Sequence, residues 1–170
     1  MLLLINQLWK LCLFRSGPAD LPASSFLLAL LFAMNAVITI GFNLTFNQAS
    51  VFTTITAVIV ALASNALLIW GLLHLLNLAN RFTQTFSAIL GVDIIITFIT
   101  SFFAMFVYKD GQPDPTSPAT LFIFGLFIWT LAVYAFIFHK ALNIHMFLAT
   151  FIAFFMLLFS VAVSQVAVGT

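Results

Sequence analysis

The stretch "VFTTITAVIVALASNALLIWGLLHLL", residues 51–76, runs for 26 residues without an Asp, Glu, Lys or Arg. About 20 predominantly apolar residues are enough for an α-helix to cross the hydrocarbon core of a bilayer. The stretch is long enough to do so with some tilt of the helix axis. It therefore indicates a transmembrane helix, and it decides the fold class.

Four further apolar segments accompany this one, over residues 24–42, 83–108, 119–138 and 141–166. Of the 170 residues, 64% are hydrophobic and only 5% are charged, with a mean hydropathy of +1.25. A soluble domain has about a quarter of its residues charged. We predict an all-α integral membrane protein, with five transmembrane helices in a bundle that forms a single domain over residues 18–170.

The N-terminal segment "MLLLINQLWKLCLFRSG", residues 1–17, has a different pattern. Asn6, Gln7 and Lys10 share one face of a helix and apolar residues cover the remainder, which is typical of an amphipathic helix that lies in the membrane interface. No basic residue precedes the apolar run, as it would in a secretory signal peptide. We therefore expect an interfacial helix that is retained.

The basic residues are distributed unequally over the predicted loops. Lys10, Arg15, Arg81 and Lys140 fall on one side of the five-span arrangement, and Lys109 falls on the other. Cytoplasmic loops of membrane proteins carry an excess of Lys and Arg. The sequence therefore predicts a cytoplasmic N-terminus and a C-terminus on the far side of the membrane.

One carboxylate, Asp93, lies within the apolar third span, in "LGVDIIITFIT". It is about ten residues from the cytoplasmic end of that span, and hence about 15 Å along the helix axis, near the bilayer centre. Asn35 and Asn65 lie at a similar height in spans one and two. The predicted intramembrane polar layer consists of Asp93, Asn35, Asn65, Ser64, Thr97, Thr130 and Thr150.

Helical periodicity places Asp93 and Thr97 on one face of span three, and it places Ala61, Ser64 and Asn65 on a small-residue face of span two. We expect these two faces to meet. An ionised carboxylate at this depth is costly, so we expect either hydrogen bonds from Asn35, Asn65 or a threonine, or protonation of Asp93. Two interpretations stay open: a structural clasp between spans one, two and three, or a role in handling a proton, an ion, a substrate or a partner subunit.

Three histidines, His74, His139 and His145, are predicted near the cytoplasmic edge. Histidines on facing helices can ligate haem or a metal, but a second pair is missing, and hydrogen bonding at the interface is the commoner role. We expect no metal and no cofactor. The single cysteine, Cys12, excludes an internal disulfide, and the net charge of +1 gives no basic surface for nucleic acid.

The stretch "LWKLCLFRSGPADLPAS", residues 8–24, resembles the N-terminal region of small uncharacterised inner-membrane proteins of proteobacteria. The layout of five closely spaced spans after a cytoplasmic N-terminus is also similar to that of the Yip-domain family, whose eukaryotic members act in vesicle trafficking and bind small GTPases. This resemblance implies a multi-pass protein of a bacterial inner (plasma) membrane with a periplasmic C-terminus. It transfers no functional residue to the chain.

No paired nucleophile and base, zinc-protease motif or phosphate-binding loop is found in the sequence, so we do not expect an enzyme. The leading hypothesis is a non-enzymatic subunit or scaffold of a larger membrane assembly, with the lipid bilayer and other membrane subunits, or further copies of the chain, as partners. The alternative is a small oligomeric transport or ion-translocating protein that uses Asp93. A third hypothesis is a haem-binding electron carrier that uses the histidines.

Overall fold

The computed structural model describes residues 2–46, 50–109, 112–113 and 117–168. The helices in this part of the chain are α1 (Leu2–Cys12), α2 (Ser25–Phe46), α3 (Val51–Leu75), α4 (Phe82–Val107), α5 (Pro118–Leu142) and α6 (Met146–Val168). Short 3₁₀ turns at Pro18–Asp20 and Ala79–Arg81 precede α2 and α4. Two strands of two residues each, β1 (Tyr108–Lys109) and β2 (Gln112–Pro113), pair antiparallel between α4 and α5.

Helices α2 to α6 are each long and apolar enough to cross a membrane, as judged by their length and composition. The all-α architecture and the five long apolar helices are thus as predicted, and the crossing of a membrane is inferred from their length and composition. Each of the five helices packs against two principal neighbours, in the order α2, α3, α6, α5, α4 and back to α2. The last two spans of the sequence are therefore inserted between the second and the third, and α3 and α4 are not principal neighbours.

Local chemistry explains where α2 ends. The span was predicted to end near residue 42, before the polar sequence "NLTF", but the helix continues to Phe46. The Asn43 amide donates to the Thr39 carbonyl at 2.8 Å, and the Thr45 hydroxyl donates to the Gly41 carbonyl at 2.8 Å. These polar side chains bond back to carbonyl groups of their own helix and therefore do not cap and end it at residue 42.

The turn between α5 and α6 also lies later than predicted. Span four was predicted to end at residue 138 and span five to begin at 141, whereas α5 ends at Leu142 and α6 begins at Met146. Asn143 has φ of 53° and ends α5 in the left-handed conformation that asparagine tolerates. His139 and Lys140 belong to the last turn of α5, where positive charge favours the helix dipole.

Helix α1 packs against α4 through Leu8, Leu11 and Cys12, which are all buried. Gly91 of α4 allows the close approach, because a Cβ atom at this position would lie 2.4 Å from Cδ2 of Leu8. The Trp129 indole of α5 donates to the Cys12 carbonyl at 3.1 Å. The structure thus shows the predicted N-terminal helix with its apolar face on the bundle, and its position at a membrane interface stays a prediction.

The buried core is concentrated in the half of the bundle that carries α1. Eight consecutive residues of α4, 85–92, are buried, so that two turns of this helix are covered on every side. Ile69 and Leu73 of α3 and Ile137 and Phe138 of α5 are almost completely buried and belong to the same core. This packing closes one end of the bundle and leaves the interior of the other end less filled.

Candidate functional site

A cavity of about 600 Å³ lies inside the bundle and is partly open. All five of the helices α2 to α6 contribute to its wall. The polar or ionisable residues that line it are Asn35, Thr39, Asn43, Thr54, Asn65, Asp93, Thr97, Tyr134, Ser160, Ser164 and Gln165. A cavity with this many polar groups is unusual in a structure built from apolar helices, and it is the strongest candidate for a functional site.

The cavity extends from the middle of the bundle to the end opposite α1. Asp93 is eleven residues after Phe82, which places it about 16 Å along α4. Asn43 is three residues before the end of α2, Thr54 is three residues after the start of α3, and Gln165 is three residues before the end of α6. We call the end of the cavity near Asp93 its floor and the end near Asn43, Thr54 and Gln165 its mouth.

The floor contains a hydrogen bond between two helices. The Tyr134 hydroxyl of α5 donates to Oδ1 of Asp93 in α4. Asp93 lines the cavity and is partly buried as a residue. The partner of Asp93 is therefore a tyrosine of span four, and not Asn35, Asn65 or a threonine as the sequence suggested.

Tyr134 is absent from the predicted polar layer because the predicted span four ends too early. With an end at residue 138, Tyr134 would lie close to the membrane edge. In the structure it is eight residues before Leu142, about 12 Å along the helix and close to the height of Asp93. Asparagine is one of the residues that commonly end a helix in the left-handed conformation, as Asn143 does. Placing the end of span four at Asn143 would have put Tyr134 in the predicted polar layer.

Asn35 connects α2 to α4. Its amide nitrogen donates to the Leu90 carbonyl at 3.4 Å, and its Oδ1 accepts a hydrogen bond from Thr39 at 3.4 Å. The side chain is 4% exposed. The structure therefore contains the predicted polar link between spans one and three, although Asn35 bonds to the backbone of α4 instead of to Asp93.

Asn65 connects α3 to α6, because its amide nitrogen donates to Oγ of Ser160 at 3.2 Å. The predicted clasp between spans one, two and three is thus wrong for span two, which uses this residue to bind span five. Three polar links join three pairs of neighbouring helices: α2 with α4, α3 with α6, and α4 with α5. The polar layer holds the walls of the cavity together.

Two buried oxygen atoms in the cavity wall have no hydrogen-bond partner in the described protein: Oγ1 of Thr54 and Oδ1 of Asn65. A buried polar atom without a partner costs about 1–3 kcal/mol, and such atoms are rare in native proteins. Both atoms would be satisfied by a bound molecule or by water in the cavity. Because both atoms have almost no accessible surface, a side-chain rotation would bring them into reach of a molecule in the cavity.

The faces of spans two and three, which were predicted to meet, lie on different walls of the cavity. Ala57, Ala61 and Asn65 of α3 line one wall, and Asp93 and Thr97 of α4 line another. The two helices themselves make few contacts, because α2 and α6 are the principal neighbours of α3. The small residues of α3 therefore leave space between the helices instead of allowing their close approach.

Three members of the predicted polar layer lie away from the cavity. The hydroxyl groups of Ser64, Thr130 and Thr150 donate to carbonyl groups of their own helices, at Val60, Leu126 and Met146 respectively. Thr150 is only four residues after the start of α6, so it does not reach the middle of the bundle. Thr97 does line the cavity, as its periodicity with Asp93 predicts.

The three histidines make separate local contacts. Nδ1 of His139 lies 2.6 Å from the Ile144 carbonyl oxygen, and Nδ1 of His145 accepts a hydrogen bond from the Phe147 amide at 3.4 Å. The His74 ring lies 5.2 Å from the Trp70 ring. Within the described residues, no group of three His, Cys, Asp or Glu is placed to hold a metal ion.

Comparison of the chain with protein-family models, with curated proteins and with solved structures gives no match. The resemblance to small proteobacterial inner-membrane proteins and to the Yip-domain family therefore stays a prediction. Function has to be inferred from the cavity and from the residues that line it.

Proposed function

We propose that the protein is a small membrane transport protein that takes up a polar solute or an ion in the central cavity, with Asp93 as the ionisable group of the site. The observation that carries this proposal is the partly open cavity of about 600 Å³, which has a carboxylate at its floor and contributions from all five spanning helices. Ionisable residues inside membrane spans commonly face such cavities and mark pathways for ions and substrates.

The energetics favour a functional reason for Asp93. An Asp at the centre of a membrane helix costs about 2.5–3.5 kcal/mol on insertion scales. A purely structural link between α4 and α5 could use a neutral hydrogen-bonding pair at lower cost. Asp93 instead lines a cavity that is large enough to hold a ligand.

The unequal packing of the two ends of the bundle is a second feature that supports transport. The half of the bundle around residues 85–92 of α4 is fully packed, while the cavity reaches the opposite end. Substrate sites near the bilayer midplane that open to one side at a time are the basis of alternating access. The described conformation corresponds to one of the two states that such a mechanism requires.

The direction of access follows from the charge distribution. Lys10, Arg15, Arg81 and Lys140 all belong to the end of the bundle that carries α1 and the packed core. We infer from the positive-inside rule that this end is cytoplasmic. In a bacterial inner membrane, which the sequence resemblance implies, the cavity would then open to the periplasm.

A flux assay tests the proposal. The full-length protein is reconstituted into liposomes, and the uptake of radiolabelled cationic, neutral and anionic solutes is measured in turn. We expect a flux above that of empty liposomes for at least one class, and at least a tenfold loss in Asp93→Asn. The Thr130→Val variant is the matched control, because its hydroxyl lies outside the cavity. Flux equal to that of empty liposomes for all three classes would reject the proposal.

The hypothesis of a non-enzymatic assembly subunit, and the expectation of homo-oligomers or partner subunits, remain predictions of the sequence. They are tested by the mass of the complex after mild solubilisation. A stoichiometric partner would support assembly, and a monomer without one would reject it. The haem-carrier hypothesis is tested by the visible absorbance of the purified protein.

A further inference from the structure

We infer that the cavity binds a small organic cation that carries N–H donors, such as a protonated amine or a guanidinium compound. This inference rests on the proposed function and specifies the chemical class of the solute. It is drawn from the charge of the cavity wall, from its unpartnered hydrogen-bond acceptors, and from its size and apolar surface.

The charge of the wall is the first argument. Asp93 is the one carboxylate among the residues that line the cavity, and the described lining contains no Lys, Arg or His. A carboxylate in a region of low dielectric interacts strongly with a nearby cation and repels an anion. A ligand with a single positive charge would therefore balance the site, while an anion would be excluded.

Hydrogen-bonding capacity at the floor is the second argument. Tyr134 donates to Oδ1 of Asp93, but an ionised carboxylate accepts several hydrogen bonds. Asn65 lies ten residues before the end of α3, about 15 Å along the helix and at the same height as Asp93. Its Oδ1 is buried without a partner. The floor thus offers acceptors to a ligand with two or more N–H donors, which amines and guanidinium groups provide.

The size and the apolar part of the wall are the third argument. A cavity of about 600 Å³ is in the range of pockets for small organic molecules, about 300–1,000 Å³, and is much larger than a bare metal cation. The apolar side chains in its wall include Val58, Leu62, Met156 and Leu157. These surfaces suit the hydrocarbon part of an organic cation, with its charged head at Asp93.

Thr54 provides a further polar group in the cavity wall, nearer to the mouth. It is eleven residues before Asn65 on α3, about 16 Å nearer to the open end. It is 3% exposed, and its Oγ1 has no partner in the described protein. Rotation of the Thr54 side chain would turn this hydroxyl towards a second polar group on the ligand.

Three probes of similar size and different charge test the inference: benzylammonium, benzyl alcohol and benzoate. Binding to the full-length protein in detergent is measured by titration calorimetry, and the melting temperature is recorded with each probe. We expect benzylammonium to bind and to raise the melting temperature, and we expect benzyl alcohol and benzoate to do neither. Equal binding of the alcohol, or binding of benzoate alone, would overturn the inference.

Two cavity variants and one control complete the test. Asp93→Asn and Asn65→Leu are each expected to weaken benzylammonium binding at least tenfold, while Thr130→Val keeps wild-type affinity. If Asp93→Asn does not fold, Asn65→Leu still decides the question, because it removes an acceptor and keeps similar volume. Unchanged affinity in the folded variants would show that benzylammonium binds elsewhere, for example in the detergent belt, and would overturn the inference.

The two proposals fail in different ways. Flux of a neutral or anionic solute that depends on Asp93, together with no binding of benzylammonium, would keep the transport function and reject the organic cation. Binding of benzylammonium in the cavity without flux of any solute would keep the ligand class and reject transport.

Discussion

The Tyr134 hydroxyl donates a hydrogen bond to the carboxylate of Asp93 and so joins α5 to α4 at the floor of the cavity. Both residues lie near the middle of their helices and both line the cavity. The bond fixes the position of the carboxylate at the wall of the cavity. It therefore serves both the packing of the bundle and the arrangement of the candidate site.

Replacement of Tyr134 by Phe keeps the ring and removes the donor. We expect the free energy of unfolding to fall by about 1 kcal/mol, because Asp93 loses its bond across the helix contact. Thermal unfolding in detergent measures the change. Tyr108→Phe is the matched control, since Tyr108 lies at the end of α4 and away from the cavity. An equal effect of both variants would contradict a specific role for the bond to Asp93.

Polar residues at similar depths are expected to differ in their contribution to stability. Asn35→Leu removes the link from α2 to the Leu90 carbonyl of α4 and should lower stability by about 0.5–2 kcal/mol. Ser64→Ala should have little effect, because this hydroxyl bonds within its own helix. The two variants are compared by thermal unfolding. Equal losses of stability in the two variants would show that a hydrogen bond between helices contributes no more to stability than one within a helix.

The contact between Gly91 and Leu8 predicts a strong effect of a single methyl group. In Gly91→Ala the new Cβ would lie 2.4 Å from Cδ2 of Leu8, so that α1 or the leucine must move. We expect a loss of about 1–3 kcal/mol, as is typical of overpacking. In the double variant, Leu8→Ala should recover part of the stability that is lost in Gly91→Ala. A double variant that is less stable than both single variants would contradict the steric explanation.

Cys12 provides a chemical measure of the packing of α1. The side chain is fully buried, and burial raises the pKa of its thiol from 9.0 to about 11. The reactive thiolate is therefore scarce at neutral pH, and at pH 8 it amounts to about one thiol in a thousand. We expect maleimide to label the folded protein very slowly, faster as the pH rises towards 11, and rapidly after unfolding in dodecyl sulfate.

The Gly91→Ala variant should label faster than the wild type under the same conditions, because displacement of α1 exposes Cys12. Labelling of the folded wild type at the rate of the unfolded protein would contradict the buried position of this residue.

The topology predicts that the two termini lie on opposite sides of the membrane, with the N-terminus in the cytoplasm. Reporter tags at each end, one active only in the cytoplasm and one only in the periplasm, measure this arrangement in cells. We expect the cytoplasmic reporter to be active at the N-terminus and the periplasmic reporter at the C-terminus. Termini on the same side would exclude five membrane crossings.

Much of the fold could be predicted from residue patterns along the chain. The five spans follow from long uncharged runs, since hydrophobic length is a local property. The errors are at helix ends, whose position can depend on a single residue. Asn43 and Thr45 bond back within α2 and do not end it. Asn143, and not Phe138, ends α5. The second of these errors moved Tyr134 away from its true depth and concealed the partner of Asp93.

The sequence by itself determined the fold class, the number of apolar helices and the heights of Asp93, Asn35 and Asn65, because composition and helical rise depend only on order along the chain. Only the tertiary structure decided which helices are neighbours. The insertion of α6 between α3 and α5 pairs Asn65 with Ser160, and the contact of α4 with α5 pairs Asp93 with Tyr134. The cavity results from that arrangement, because packing between helices far apart in the sequence is not encoded in any single segment.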